Sequence, residues 1–280
     1  DAKTVSKSEL AEMMIGKSLP KIPKRTSLPS NEICLEVSSL SGEKLDSKEP
    51  FKDINFILNK GEILGIAGVE GNGQRELTES ILGIYPLSQG TITVDGINID
   101  KMATRQRRGM GINFIPEDRQ TQGLVMDNSL VENAMLGRQS KDKYKTKFRS
   151  VNFKNSRKFS NEIINQYDVR TPNSSTLALA LSGGNQQKFV VGRELEDSPS
   201  LLVASQPTRG IDIGAQSLIW EELREARDSG LGVLLISADL EELLGLSDRL
   251  LVMYEGKIVK ELVPDDATPE LLGAFMTGLK

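Results

Sequence analysis

The chain has 280 residues, 38% hydrophobic and 26% charged, a composition that supports a globular domain with a sizeable core. Its 35 basic and 39 acidic residues leave a net charge of -4, too mild to point to nucleic acid or an anionic membrane as partner. One cysteine and no histidine exclude an intrachain disulfide, a cysteine or histidine zinc site, and any mechanism built on an imidazole base.

In chain order, the start DAKTVSKSELAEMM is too polar for a secretory signal. No apolar run further on approaches the roughly 20 residues that span a bilayer. Residues 1–31 read as a linker: KSLPKIPKRTSLPS is polar, rich in proline and lysine, and without periodicity, which suits a tether between domains or a disordered tail. The first residue is Asp rather than Met, which points to a longer polypeptide. From Glu32 the pattern becomes regular. Residues 33–37 and 54–58 alternate apolar and polar side chains as half-buried strands do, and Cys34 reads as a buried strand residue in a reducing compartment.

Residues 63–67 form a continuous apolar strand, followed by GVEGNGQRELTESILG, a glycine-rich loop entering a helix. Residues 91–99 read as a hairpin around Asp95-Gly96. The stretch 116–181 is expected to be mostly helical and polar, with a lysine-rich loop KDKYKTKFR that reads as solvated surface. After LSGGNQQK a helix runs to about Leu195. Strands at 201–204, 233–237 and 250–254 then alternate with helices, which argues for a parallel sheet covered by helices, interrupted by a helical insertion.

Two segments carry chemistry. In the glycine loop, Gly68, Gly71 and Gly73 let backbone N–H groups turn inward at a helix N-terminus, as a phosphate-binding loop requires. The full pattern G-x-x-x-x-G-K-[ST] ends in a lysine for the β and γ phosphates and a hydroxyl for magnesium; Gln74 and Arg75 stand in those places and supply neither. Taken alone, the segment is also compatible with a plain strand-to-helix turn. The second segment is Ser182-Gly183-Gly184-Asn185-Gln186, a hydroxyl and two glycines opening a helix, which presents donors to an anion or merely caps the helix.

The string LSGGNQQK resembles the signature of ATP-binding cassette proteins, in the form typical of importers for sugars and nucleosides. The resemblance covers nearly the whole chain in the right order. Gly68 to Arg75 match the Walker A place, IPEDRQTQGLV the Q-loop region, LLVASQPTRGID the Walker B strand running into the D-loop, and LLISADLEELLGLSDRLLVMYEGKIV the switch region with its closing hairpin. The string LAEMMIGK, at residues 10–17, looks like the end of a preceding cassette, which makes this the second half of a tandem polypeptide. PEDR, DVRTP and SQPTRGID look closest to the second cassette of bacterial nucleoside importers.

The resemblance implies an α/β fold: a P-loop NTPase (RecA-like) core with an antiparallel β subdomain and an inserted helical signature subdomain at about 116–187, in a cassette over 32–280. It implies nucleotide contacts at Gly68, Glu70, Gly71, Asn72, Gly73, Gln74, Arg75 and Glu76, with the cofactor ATP. It also exposes departures. Ser205 and Gln206 stand where Walker B ends in Asp-Glu, Ala238 replaces the switch histidine, and Glu117 takes the Q-loop glutamine place, bringing a like charge near the phosphates. No aromatic residue lies between Glu32 and Pro50, where an adenine-stacking ring is expected.

Catalysis in cis and magnesium binding here are therefore not expected. Ser182, Gly183, Gly184, Asn185 and Gln186, with Asp212 at the D-loop, would instead serve a partner cassette's ATP and Mg2+ in trans. The implied partners are the N-terminal half of the same polypeptide, transmembrane permease subunits and, indirectly, a substrate-binding protein, at the cytoplasmic face of the cell membrane. No nucleic-acid partner is expected. Two other readings stand beside it: a regulatory or assembly module with no nucleotide role, and a soluble cassette protein acting on ribosomes or DNA repair.

Overall fold

The computed structural model describes residues 29–45, 49–139, 141–147, 150–196 and 198–279. The LAEMMIGK string and all but the last residues of the expected linker lie outside the described residues. Two sheets organise the rest. The first is antiparallel and ordered β2-β1-β4-β5, from β1 (Ile33–Gly42), β2 (Ile54–Asn59), β4 (Leu87–Val94) and β5 (Ile97–Asn98). The second has six strands: β10 (Lys257–Leu262), β9 (Arg249–Tyr254), β3 (Ile63–Ala67), β8 (Gly232–Ser237), β7 (Leu201–Ser205) and β6 (Ile112–Ile115), in that spatial order. It is parallel from β9 to β6, with β10 antiparallel at one edge.

Burial explains the strand patterns. Both β3 and β8 are buried at every residue, as expected for parallel strands covered on both faces, and their sequences are correspondingly continuous apolar runs. Along β3, Ile63 and Ala67 face one core while Leu64 and Ile66 face the other. The first core lies against the helices α3 (Leu130–Ala134), α4 (Phe153–Gln166), α5 (Gly183–Leu195), α6 (Ile213–Asp228), α7 (Leu240–Leu246) and α8 (Pro269–Met276). The second is closed by the antiparallel sheet and by α1 (Gln74–Ile81). The short α2 (Thr104–Gly109) leads into β6.

Cys34 is a fully buried residue of β1, as its sequence context implies. Burial pushes its thiol up to about 12, so it is not a thiolate at physiological pH.

The middle of the chain is less helical than its polarity suggests. Between β6 and β7 stand a π-helical turn, Arg119–Gly123, then α3, α4 and α5, with irregular connections between them. An ion cluster fastens this region to the core. Glu194 on α5 is fully buried and receives Arg193 Nε at 2.7 Å, Arg108 Nη2 at 2.8 Å and Arg138 Nη1 at 3.8 Å. Burial raises its carboxyl, but the guanidinium groups of Arg193, Arg108 and Arg138 outweigh that and hold it at about 2.

Candidate nucleotide and signature sites

The glycine loop joins β3 to α1. Gly71 and Gly73 take φ of +89° and +98°, and at Gly73 a Cβ would sit 2.2 Å from the Pro50 carbonyl oxygen, so only glycine fits there. Asn72 is structural: its Oδ1 accepts from the Glu255 amide at 3.0 Å and its carbonyl from the Gly256 amide at 3.1 Å, pinning the loop to the β9–β10 turn. Gln74 is buried and folds back over the loop. Its Nε2 donates to the Val69 carbonyl at 3.3 Å and crowds Gly68, where a Cβ would lie 2.0 Å from the same nitrogen. Arg75 leaves the loop, donating to Glu79 at 2.9 Å one turn along α1, with its side chain 71% exposed. Glu70 is exposed at the loop's tip, and Glu76 is half-buried in the first turn of α1.

Ser205 ends β7, and Gln206 follows at a φ of +49°. The Gln206 amide donates to the Ile236 carbonyl at 2.7 Å, and its side-chain Oε1 accepts from the Ala238 amide at 3.2 Å. The two positions where acid and histidine would be expected are therefore bonded to each other, with neither a carboxylate nor an imidazole between them.

A cleft of ≈ 810 Å³ opens beside these loops, lined among others by Glu70, Arg75, Glu117, Arg119, Ser205 and Arg209. The charge of Glu117 is matched, because the Arg209 guanidinium pairs with it. The carboxylate expected at this place lines the cleft, paired with a cation. Asp118 caps the π-helical turn. The Thr121 side chain, then the Gln120 and Thr121 amides, hold its carboxyl below the usual carboxylate range. Among the described residues no group of three or more acidic or cysteine side chains could hold a metal ion. Neither Arg75, turned to Glu79, nor Ser205, at the end of β7, offers a carboxylate to a magnesium ion.

The signature opens α5. Ser182 is exposed and caps the helix, its Oγ accepting from the Asn185 amide at 3.4 Å and from Asn185 Nδ2 at 2.9 Å. Both lone pairs are thus occupied, which leaves the hydroxyl proton to be donated outward. Asn185 is itself fixed, since its Oδ1 accepts from the Arg170 amide at 2.8 Å. Gln186 is buried and bonds the Ala178 and Leu181 carbonyls, so it holds the turn rather than facing a ligand.

Gly184 packs on the start of α6: a Cβ there would lie 2.9 Å from Asp212 Oδ2 and 3.1 Å from Ala215 Cβ. Asp212 caps α6 by accepting from the Ala215 amide at 3.0 Å. The fold therefore brings signature and D-loop residues together, and brings Gln206 to Ala238. The sequence reading missed Arg119 and Arg209. Both stand in the strings PEDR and SQPTRGID but receive no role there, because no periodicity links positions 90 apart.

A family profile described as ABC transporter matches residues 51–209, more than half of the chain. The chain belongs to the ABC transporter family. It is 40% identical over 99% of its length to the guanosine import ATP-binding protein NupO of Bacillus subtilis (strain 168), covering 54% of that protein. It is 35% identical over 96% of its length to the nucleoside import ATP-binding protein NupA of Lactococcus lactis subsp. cremoris (strain MG1363), covering 53% of it. It is also 37% identical over its whole length to a ribose import ATP-binding protein RbsA of Clostridium perfringens (strain 13 / Type A), covering 54% of it. The chain thus spans about half the length of the curated relatives it matches.

Among solved structures, a nucleotide-free cassette from an ABC transporter superposes with a TM-score of 0.73 at 19% identity, covering 88% of this chain and 99% of that one. A dimeric bacterial ABC transporter cassette gives 0.70 at 19% identity, covering 82% and 98%. These likenesses establish the α/β cassette fold. No helix among the described residues is long and apolar enough to cross a membrane.

Proposed function

We propose that this chain is the C-terminal nucleotide-binding cassette, over residues 32–280, of a bacterial importer for nucleosides or simple sugars. In this reading it donates its signature to the ATP site of the N-terminal cassette of the same polypeptide and does little chemistry of its own. Residues 1–31 are the linker between the cassettes, and the inserted segment 116–187 carries the signature. Permease subunits and, through them, a substrate-binding protein complete the assembly at the cytoplasmic face of the membrane.

One observation carries the reading. The exposed Ser182 hydroxyl is held as an outward donor by Asn185, whereas Gln74 is turned to Val69, Arg75 is paired with Glu79, Gln206 is bonded to Ala238, and Ser205 brings a neutral hydroxyl where a carboxylate is expected. Phosphoryl transfer depends almost wholly on positioning and charge stabilisation. Losing one stabilising group costs about 2.7–4 kcal/mol of barrier, and several are missing together. Ser182, with the amides of Gly183 and Gly184 at the positive end of α5, is suited to bind an anion presented by a second cassette. Magnesium belongs, on this reading, to the partner's site alone.

The test has two arms. The isolated chain shows negligible phosphate release from ATP, and Ser182→Arg in the full tandem protein with its permease abolishes ATPase activity. Robust turnover by the isolated chain would remove the first claim, and full activity of the Ser182→Arg protein the second. An assembly module without a nucleotide role predicts the latter result.

A further inference from the structure

The segment that leaves β6 grips two loops at once, and we propose that Arg119, supported by Glu117, is the positioning group that fixes the signature against the loop following β7. It does so without help from a nucleotide in this chain's own glycine loop. The inference rests on the reading of the signature as a donated half-site.

On one side, the π-helical turn is fastened to the signature helix. Gln120 Nε2 donates to Gln186 Oε1 at 3.3 Å, and at Gly123 a Cβ would meet Val190 Cγ2 at 3.4 Å. On the other side, Arg119 crosses to the core: Nη1 donates to the Arg209 carbonyl at 2.9 Å and Nη2 to the Gly210 carbonyl at 3.3 Å. The same Nη2 lies where the first signature glycine would carry a side chain, 2.6 Å from the Cβ position of Gly183. Glu117 adds a second link across the gap by pairing with the Arg209 side chain.

Three features mark this as a brace rather than a chance surface contact. The planar guanidinium reaches two successive carbonyls through two separate nitrogens, a fixed fork that the point charge of an ammonium does not reproduce. Arg119 Nε is buried without a hydrogen-bond partner, a cost accepted to keep the fork in place. The turn that carries it is itself held by the Asp118 cap, whose Oδ1 accepts from the Gln120 amide at 2.9 Å. Gln74 is neutral and turned to Val69, and Arg75 is paired with Glu79, so neither is set to hold a triphosphate that would bridge core and insertion. The protein's own guanidinium supplies the bridge.

The experiment uses the full tandem protein with its permease. Half-saturating ATP and kcat are measured for Arg119→Gln, Arg119→Lys, Glu117→Gln and Ser182→Arg. Spin labels at positions 158 on α4 and 257 on β10 report the distance between insertion and core. Arg119→Gln is expected to raise half-saturating ATP about tenfold, the equivalent of one lost charge-assisted hydrogen bond, with a smaller fall in kcat. Arg119→Lys should not rescue it. The label distance should be narrow and indifferent to ATP in the unaltered protein, and should broaden in Arg119→Gln and Glu117→Gln.

An unchanged half-saturation with a narrow distance in Arg119→Gln overturns the brace. If that variant does not accumulate folded, the same result in Glu117→Gln overturns it. Loss of activity in Ser182→Arg with silent brace variants sinks only this inference, whereas a silent Ser182→Arg sinks the donated half-site itself.

Discussion

A serine hydroxyl can donate one hydrogen bond and accept two, and at the signature both acceptances come from Asn185. Asn185 therefore decides which way the Ser182 proton points, and it is the residue whose removal separates orientation from contact. Asn185→Ala should raise the half-saturating ATP of the assembled protein by roughly fivefold, about 1 kcal/mol, with the fold intact. Asn185→Asp should do worse, because it loses the Nδ2 donor and adds a negative charge where the proposed half-site would receive an anion. Equal affinity in both variants, measured by nucleotide titration, would remove Asn185 from this role.

At the scale of elements, α5 is held by the Glu194 cluster and by the turn that carries Arg119. Removing the carboxylate leaves three guanidinium groups in the interior with their attraction gone, and breaking a buried charge pair in this way costs about 3–5 kcal/mol. Glu194→Gln should thus lower the thermal midpoint strongly, which a melting curve reads directly. The pH dependence follows from the folded carboxyl at about 2, below its ordinary value of 4.5. Its stabilisation is present above pH 4.5 and is lost as pH falls towards 2, so the difference between the unaltered protein and Glu194→Gln should narrow over that interval.

Elements were unequally legible. The continuous apolar runs of β3, β7 and β8, the glycine loop and the capped start of α5 all follow from local composition. The four residues of β6 are too few to show a period beside Gly111, and the π-helical turn arises from the Asp118 cap and the packing of Gly123 on α5, which no periodicity announces. Glu117 reads in the sequence as a like charge near the phosphates, and its pairing is not legible there because Arg209 arrives from another loop.

Over the whole molecule, the question is whether this cassette senses nucleotide itself or only through a neighbour, and Trp220 is placed to answer it. Its Nε1 donates to Glu242 Oε1 at 3.0 Å, and the same oxygen accepts from Thr208 Oγ1 at 2.7 Å. Burial raises the Glu242 carboxyl, and only the Ser237, Thr208 and Trp220 side chains counter it, so the indole, the β7–α6 loop and α7 share one buried anchor. Thr208 lies just before Arg209 and Gly210, the carbonyls that Arg119 holds, and the loop runs on to Asp212. A change at the D-loop therefore reaches the indole through one hydroxyl. With no lysine in the glycine loop and Arg75 paired with Glu79, millimolar ATP, the weak end of specific binding, should leave Trp220 emission of the isolated chain unchanged. Joined to the N-terminal cassette proposed above, with any tryptophans of that cassette replaced, the same titration should shift the emission as the D-loop docks. A saturable shift in the isolated chain would show that the glycine loop holds nucleotide without its lysine, through backbone donors alone.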